Sequence, residues 1–195
     1  MKKTTLTLAL LAALSSAHAQ TPVAPAANPA HGFVGIGVTA GGDELASATY
    51  TNGDSVEIKA GSGVVFTAGL DYRIAPQFSV QGTVNFHVDD QTARNGDLRF
   101  QRFPVELIGF YHPNNQWKVG GGVRYVNSAK LSGSGAAAMA DVNFKNTASA
   151  IFETEYLFAP NAGVKVRYVK EELELKNGGG TVKANHVGIS GVYYF

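Results

Sequence analysis

Apolar and polar residues alternate with a period of two through eight stretches of the chain, and the charges within those stretches keep to the polar side. The clearest stretch sets Phe78, Val80, Gly82, Val84, Phe86 and Val88 against Ser79, Gln81, Thr83, Asn85 and His87. Successive side chains of a strand point to opposite faces, so this is one apolar wall backed by one polar wall. The first stretch, starting near Gly32, turns Val34, Ile36, Val38 and Ala40 outward, and the second turns Val64, Phe66, Ala68, Leu70, Tyr72 and Ile74 outward with Asp71 and Arg73 inward. The fourth opposes Phe103, Val105, Leu107 and Tyr111 to Arg102, Pro104 and Glu106. The fifth opposes Trp117, Val119, Val123 and Tyr125 to Lys118 and Arg124. In the sixth, Phe152, Tyr156 and Phe158 face away from Glu153 and Glu155; in the seventh, Val164, Val166 and Tyr168 face away from Lys165 and Arg167. The last sets Val187, Ile189, Gly191, Tyr193 and Phe195 against His186, Gly188, Ser190, Val192 and Tyr194.

A closed sheet with its greasy side out and its charges in is built for lipid. At the 16% charged content of the chain, about six charges would fall by chance among about forty outward positions, and none does; a charge at the bilayer midplane costs roughly 2–4 kcal/mol. Aromatics recur eight residues apart on that face, as in Phe78 and Phe86, Phe103 and Tyr111, Trp117 and Tyr125. Eight tilted residues rise by roughly 20 Å, the spacing of two aromatic girdles. The predicted fold is all-β: an eight-stranded antiparallel up-and-down transmembrane β-barrel with a polar lumen filled by side chains. The expected girdle residues are Tyr72, Phe78, Phe86, Phe103, Tyr111, Trp117, Tyr125, Tyr156, Phe158, Tyr168 and Tyr193.

The connections alternate in length. Short turns are expected at Ala75-Pro76-Gln77, from His112 to Gln116 and from Ala159 to Ala162, and long polar segments at about 42–62, 89–97, 127–147 and 172–182. Short turns belong on the periplasmic side and long loops outside. Two long segments carry hairpin signals, Asn52-Gly53 between Thr49 and Val56, and Asn177 to Gly180 between Glu171–Lys176 and Thr181–Lys183.

The first residues read as an export label: Lys2 and Lys3, an apolar run from Leu6 to Leu14, and Ala17-His18-Ala19 before Gln20. The run is too short to span a bilayer as a helix. The expected organisation is a cleaved signal peptide over 1–19, a Pro/Ala-rich periplasmic linker over 20–31 and a barrel over 32–195, which places the protein in the outer membrane. A net charge of +1 leaves no electrostatic footprint for nucleic acid, and the absence of cysteine excludes a disulfide scaffold or thiolate metal site.

The signal peptide, the eight alternating stretches and the terminal Gly191-Val192-Tyr193-Tyr194-Phe195 together resemble the small outer-membrane β-barrel superfamily that includes the OmpA transmembrane domain, OmpX-like and opacity proteins. The resemblance covers nearly the whole mature chain and is architectural. It implies outer-membrane lipid and lipopolysaccharide as surroundings, and a barrel-assembly machinery that reads Tyr193 and Phe195 as an assembly signal. It also implies an unidentified extracellular ligand for the loops, with adhesion, serum resistance and phage reception as family possibilities. It departs from OmpA itself in that no peptidoglycan-binding domain is expected after Phe195.

Inside so narrow a barrel, Asp71, Arg73, Arg102, Glu106, Lys118, Arg124, Glu153, Glu155, Lys165 and Arg167 are expected to form an ion-pair network, with Glu106, Arg124, Glu153 and Arg167 contiguous. Neither a catalytic residue nor a metal site nor a cofactor is expected. The lipid-A deacylase type of barrel carries a His-x-Ser pair facing the membrane, whereas here His186 is followed by Val187 and Gly188, with Ser190 on the lumen side. His87 beside Asp89 and Asp90 reads as a solvated histidine at a loop boundary before it reads as a ligand. The Gly35-Ile36-Gly37 run lies in a strand and opens no βαβ unit, so it is no dinucleotide fingerprint. The function that follows is a non-enzymatic structural or surface-interaction barrel. A small-solute channel of OmpW type is the alternative, a lipid-A-modifying barrel enzyme a lesser one, and a soluble lipocalin-type barrel the rival fold.

Overall fold

The computed structural model describes residues 29–49, 55–93, 96–135 and 139–195. In chain order its strands are β1 (Ala30–Gly41), β2 (Glu44–Thr49), β3 (Ser55–Lys59), β4 (Gly63–Ala75), β5 (Phe78–Ala93), β6 (Gly96–Tyr111) and β7 (Trp117–Gly135). They continue with β8 (Met139–Asn143), β9 (Thr147–Ala159), β10 (Ala162–Lys170), β11 (Glu172–Glu174), β12 (Thr181–Lys183) and β13 (His186–Tyr194). Eight of these close a ring in the order β1-β4-β5-β6-β7-β9-β10-β13, with β13 returning to β1 antiparallel. Neighbours in the ring are neighbours in sequence, apart from the hairpins inserted at one end, so each of the eight ring strands pairs on both sides and the ring itself has no free edge.

The outward set is the one the alternation predicts. Val34, Ile36, Leu70, Val84, Val105, Leu107, Val123, Val166 and Ile189 are all exposed although apolar, and lipid is the solvent that makes this favourable. Aromatics bracket this band. Near the short turns, Phe78 meets Tyr111 with ring centroids 5.4 Å apart and Trp117 meets Tyr156 at 4.9 Å, with Tyr72, Phe158, Tyr193 and Phe195 exposed at the same end. Toward the other end Phe86 meets Phe103 at 5.2 Å, and Tyr125 and Tyr168 are exposed.

Two expected boundaries move. Residues 1–28 lie outside the described residues, but His31 and Ala30, expected in the linker, are already strand, pairing with Asp71 and Tyr72 while the Pro29 carbonyl accepts from Arg73 N. The far end of β4 offers those ladder groups, and an unpaired backbone there would be costly. Arg73, expected in the lumen, is exposed and donates to the Pro76 carbonyl at 2.8 Å. The register shifts between Arg73 and Ala75, so Arg73 and Ile74 both face solvent and the inward parity ends at Asp71.

Two of the long segments are hairpins, as the Asn52-Gly53 and Asn177 to Gly180 signals predict, and the larger correction concerns the other two, at about 89–97 and 127–147, which are strand extensions and not loops. β5 and β6 remain paired as far as Ala93 and Gly96, and β7 continues to Gly135 with β8 folded back upon it. β2 pairs with β3 and β11 with β12, while the Asn52-Gly53 tip lies outside the described residues. Their inward parity turns from polar to apolar above the lumen: Leu98 and Phe100 stand above Arg102, and Val126, Ala129 and Leu131 above Arg124. With Ile58, Ala60, Phe144, Leu173 and Ala184 these form one buried cluster fed by all four hairpins. Ser128, at φ 53°, marks a bulge in β7 that leaves Asn127 and Ser128 both exposed and returns Ala129 to the inside.

Candidate functional site

The lumen holds a chain of alternating charges. Beginning near the short turns, Asp71 takes Lys118 Nζ at 2.9 Å, Lys118 lies 3.4 Å from Glu155, and Lys165 bridges Glu155 at 3.6 Å and Glu153 at 2.8 Å. Arg167 spans Glu153 at 2.6 Å and Glu106 at 3.2 Å, and Arg124 binds Glu106 at 2.6 Å and Glu171 at 2.9 Å. Arg102, paired with Glu171, ends the series. Five cations thus alternate with five carboxylates, all buried. Each charge meets at least one opposite charge, the condition under which burial of ions is tolerated. Glu106, Arg124, Glu153 and Arg167 are contiguous, and among the ten residues expected in the network Arg73 alone stands apart.

Neutral groups complete it. Tyr194 Oη donates to Glu155 at 2.7 Å and accepts from Lys118 Nζ at 2.9 Å and Gln81 Nε2 at 3.2 Å. Thr83 donates to Glu106 at 3.1 Å. Phe33, Ile108, Phe110, Ile151 and Val169 fill the remaining cross-section.

Glu171 is the residue the sequence reading missed. It stands on the inward parity of β10, two positions past Val169 and just beyond the strand end, among polar neighbours that read as loop. Burial pushes its carboxyl up in pKa, but Arg102 and Arg124 more than offset this and hold it below the usual glutamate value. Its N–H donates to Asn185 Oδ1 at 2.8 Å and its carbonyl accepts from Ala184 N at 2.8 Å, so it ties both stems of the β11–β12 hairpin to the lumen.

The hairpins are also laced to one another. Lys145 N donates to the Glu174 carbonyl at 2.7 Å, Lys176 N to the Asn143 carbonyl at 3.0 Å, and Asp43 N to the Lys183 carbonyl at 2.7 Å. Together with the shared core this makes a single platform above the side-chain-filled lumen.

Three of the histidines are occupied structurally, and His87, expected to be solvated at a loop boundary, is instead buried at 2% exposure because it stands on the inward parity of β5. His87 is buried against Thr39 and Arg102, and His186 against the Ala184 carbonyl, while among the described residues no three acidic or histidine side chains gather as a metal site. At the short-turn end His112 Nε2 lies 2.8 Å from Ser79 Oγ; burial first, then the charge of Arg73, lowers the His112 pKa to about 4. Ser79 is only 1% exposed, so this pair has no room for a substrate.

A closed ring of strands, apolar and girdled outside and charge-filled inside, defines a transmembrane β-barrel protein. The chain belongs to the Outer membrane protein beta-barrel domain family, whose match runs over residues 6–195. Among solved structures it is similar to Ail, the attachment invasion locus protein of Yersinia pestis, in complex with the heparin analogue sucrose octasulfate: TM-score 0.57 and 13% identity, covering 85% of this chain and 96% of that one. A second Ail crystal structure gives a TM-score of 0.53 at 14% identity, covering 85% and 96%. Neisserial surface protein A is similar at a TM-score of 0.46 and 15% identity, covering 86% and 98%. At these identities the likeness is one of fold. No curated protein sequence matches the chain.

Proposed function

We propose that this outer-membrane barrel is a non-enzymatic surface-interaction protein whose lumen is a structural plug and whose platform contacts a partner outside the cell. The observation that carries the reading is the platform itself. Four hairpins sharing one apolar core cost far more buried surface than turns need, and they present a fixed outer face. Ail, named for attachment and invasion, has the same fold. Its sulfated ligand is a weaker guide here, because four of the described platform cations have an acidic neighbour: Lys145 has Glu174, Lys130 has Asp141 at 2.7 Å, Lys59 has Glu57 at 3.6 Å and Arg99 has Asp90 at 4.0 Å. A mixed-charge surface of this kind suits a protein partner better than a polyanion. Export through a signal peptide over 1–19, a lipopolysaccharide setting and an assembly signal at Tyr193 and Phe195 belong to the same proposal.

The test is display of the intact barrel on a Gram-negative host without other adhesins, scored for binding to epithelial monolayers and to immobilised heparin. Binding to the monolayer that survives added heparin and is lost in K130E/K145E, with heat-modifiable gel migration retained, is the expected result. Steady conductance of the purified protein in a planar bilayer, or no gain in binding over the host, would overturn the reading.

A further inference from the structure

The platform and the lumen network meet at one cluster. His87 on β5 and His186 on β13 lie edge to face with ring centroids 5.6 Å apart, buried beside Arg102 and Glu171. We propose that this cluster is an acid-sensitive latch: proton uptake by His87 and His186 releases the β11–β12 hairpin, and with it the platform, from the lumen.

The hydrogen bonds fix which ring nitrogens are bare. Arg102 Nε donates to His87 Nδ1 at 3.2 Å, and a guanidinium keeps its protons, so Nδ1 presents a lone pair and Nε2–H points to Thr39 Oγ1 at 2.9 Å. A proton added at Nδ1 sets N–H against N–H. His186 gives Nδ1–H to the Ala184 carbonyl at 2.7 Å, leaving Nε2 as a buried lone pair without a partner. A proton added there is a buried donor with nothing to receive it.

The surroundings make both events unfavourable while the latch is closed. Arg102 from β6, Arg124 from β7 and Arg167 from β10 face His87, with Arg102 and Arg124 also facing His186. The carboxylates close by are Glu171, already shared by Arg102 and Arg124, and Asp89 on the strand of His87, which acts on Arg102. From β1 comes Thr39 and from β4 Val65, paired with His87, both without charge. A new imidazolium would therefore meet guanidinium charge before carboxylate.

Relief comes from moving Arg102 or His186, and either movement pulls on the platform. Arg102 packs on Phe100 of the platform core and holds Glu171, which in turn holds Ala184 and Asn185. His186 abuts Gly61 at the foot of the β2–β3 hairpin, so closely that a Cβ on that glycine would sit 2.8 Å from the His186 Cβ. Once open, both rings return to an ordinary imidazole pKa near ~6.5. Each pH unit below that favours the open form about tenfold per histidine, so at pH 4.5 the pair shifts the equilibrium by up to about 10,000-fold.

The experiment is amide hydrogen exchange on the intact protein in lipid nanodiscs, corrected for intrinsic rates, at pH 7 and pH 4.5. Peptides covering 171–185 and 55–61 are expected to lose protection at pH 4.5 while peptides within β4 and β9 keep it, and H87Q/H186Q, whose amides can repeat the neutral bonds, is expected to stay closed. Full protection of the wild type at pH 4.5, or opening of the double variant at the same pH as wild type, overturns the latch; the second outcome would assign the response to carboxylates such as Glu171. Should the double variant not assemble, nitrogen-15 imidazole spectra of the wild type decide. Either ring titrating near pH 6.5 with no change in protection overturns it, and titration coincident with opening supports it. None of these readouts involves a binding partner, so the latch and the surface-interaction reading fail separately.

Discussion

Glu106 accepts from Arg124 at 2.6 Å and from Arg167 at 3.2 Å on the same oxygen, with Thr83 on the other, so one carboxylate from β6 joins β7 to β10 across the lumen. Removing that charge alone leaves two guanidiniums buried beside each other. E106Q is expected to destabilise the barrel by about 3–5 kcal/mol, whereas an apolar replacement of Glu106 together with Arg124 should cost less than the single change. Urea unfolding in lipid vesicles, followed by heat-modifiable migration, gives both numbers. A smaller loss for E106Q than for the pair would mean that the network does not hold the wall together.

The membrane face makes a depth-dependent prediction. Val105 lies in the middle of the apolar band, and Tyr111, six residues along the same strand, lies in the girdle near the short turns. V105R is expected to cost about 2–4 kcal/mol and Y111R about 0–1 kcal/mol. Equal costs in vesicle refolding would place the bilayer elsewhere on this surface.

Most of this architecture was legible because one rule, alternation, decides it. Phe103 through Tyr111 and Trp117 through Tyr125 face outward as their parity requires, and all the network residues except Arg73 fall inside. The failures share a cause: parity holds only while the ladder is regular. At Arg73 a register shift ends it, and at Ser128 a bulge resets it, so neither Arg73 nor the apolar run Ala129 and Leu131 could be placed by counting. Glu171 and Phe100 were missed for a different reason. They continue the inward parity of their strands into segments whose flanking residues are polar, and polar flanks read as loops when the face beneath them is not known to be covered.

Small residues on the two faces of the wall predict opposite responses. A Cβ on Gly122 would come within 2.0 Å of the Leu107 carbonyl oxygen and 2.7 Å of Ile108 Cα, backbone that cannot swing aside, whereas a Cβ on Gly191 meets nothing within 4 Å. G122A is expected to lose about 1–3 kcal/mol or fail to assemble, and G191A to stay within about 0.5 kcal/mol of the wild type. The comparison is made by the yield of the heat-modifiable form. Two equally tolerated variants would mean that the β6–β7 contact is looser than described.

The short-turn end carries its own pH dependence through His112, whose pKa is about 4 in the folded protein because burial and then Arg73 disfavour its charge. Unfolded, it returns toward ~6.5, so between those values the unfolded chain binds more protons than the folded one. Stability therefore rises with pH through this window and falls as pH drops from about 6.5 toward about 4, with a slope below ~1.4 kcal/mol per pH unit because a single histidine changes the proton count by less than one. H112Q, which can still meet Ser79 Oγ, should remove that share of the slope while leaving stability at pH 8 little changed. The latch histidines contribute slope in the same direction, so the measurement is a difference between unfolding curves of wild type and H112Q taken at matched pH. Identical slopes across pH 4 to 6.5 would show that His112 titrates normally in the folded barrel and that its contact with Ser79 does not depend on a neutral ring.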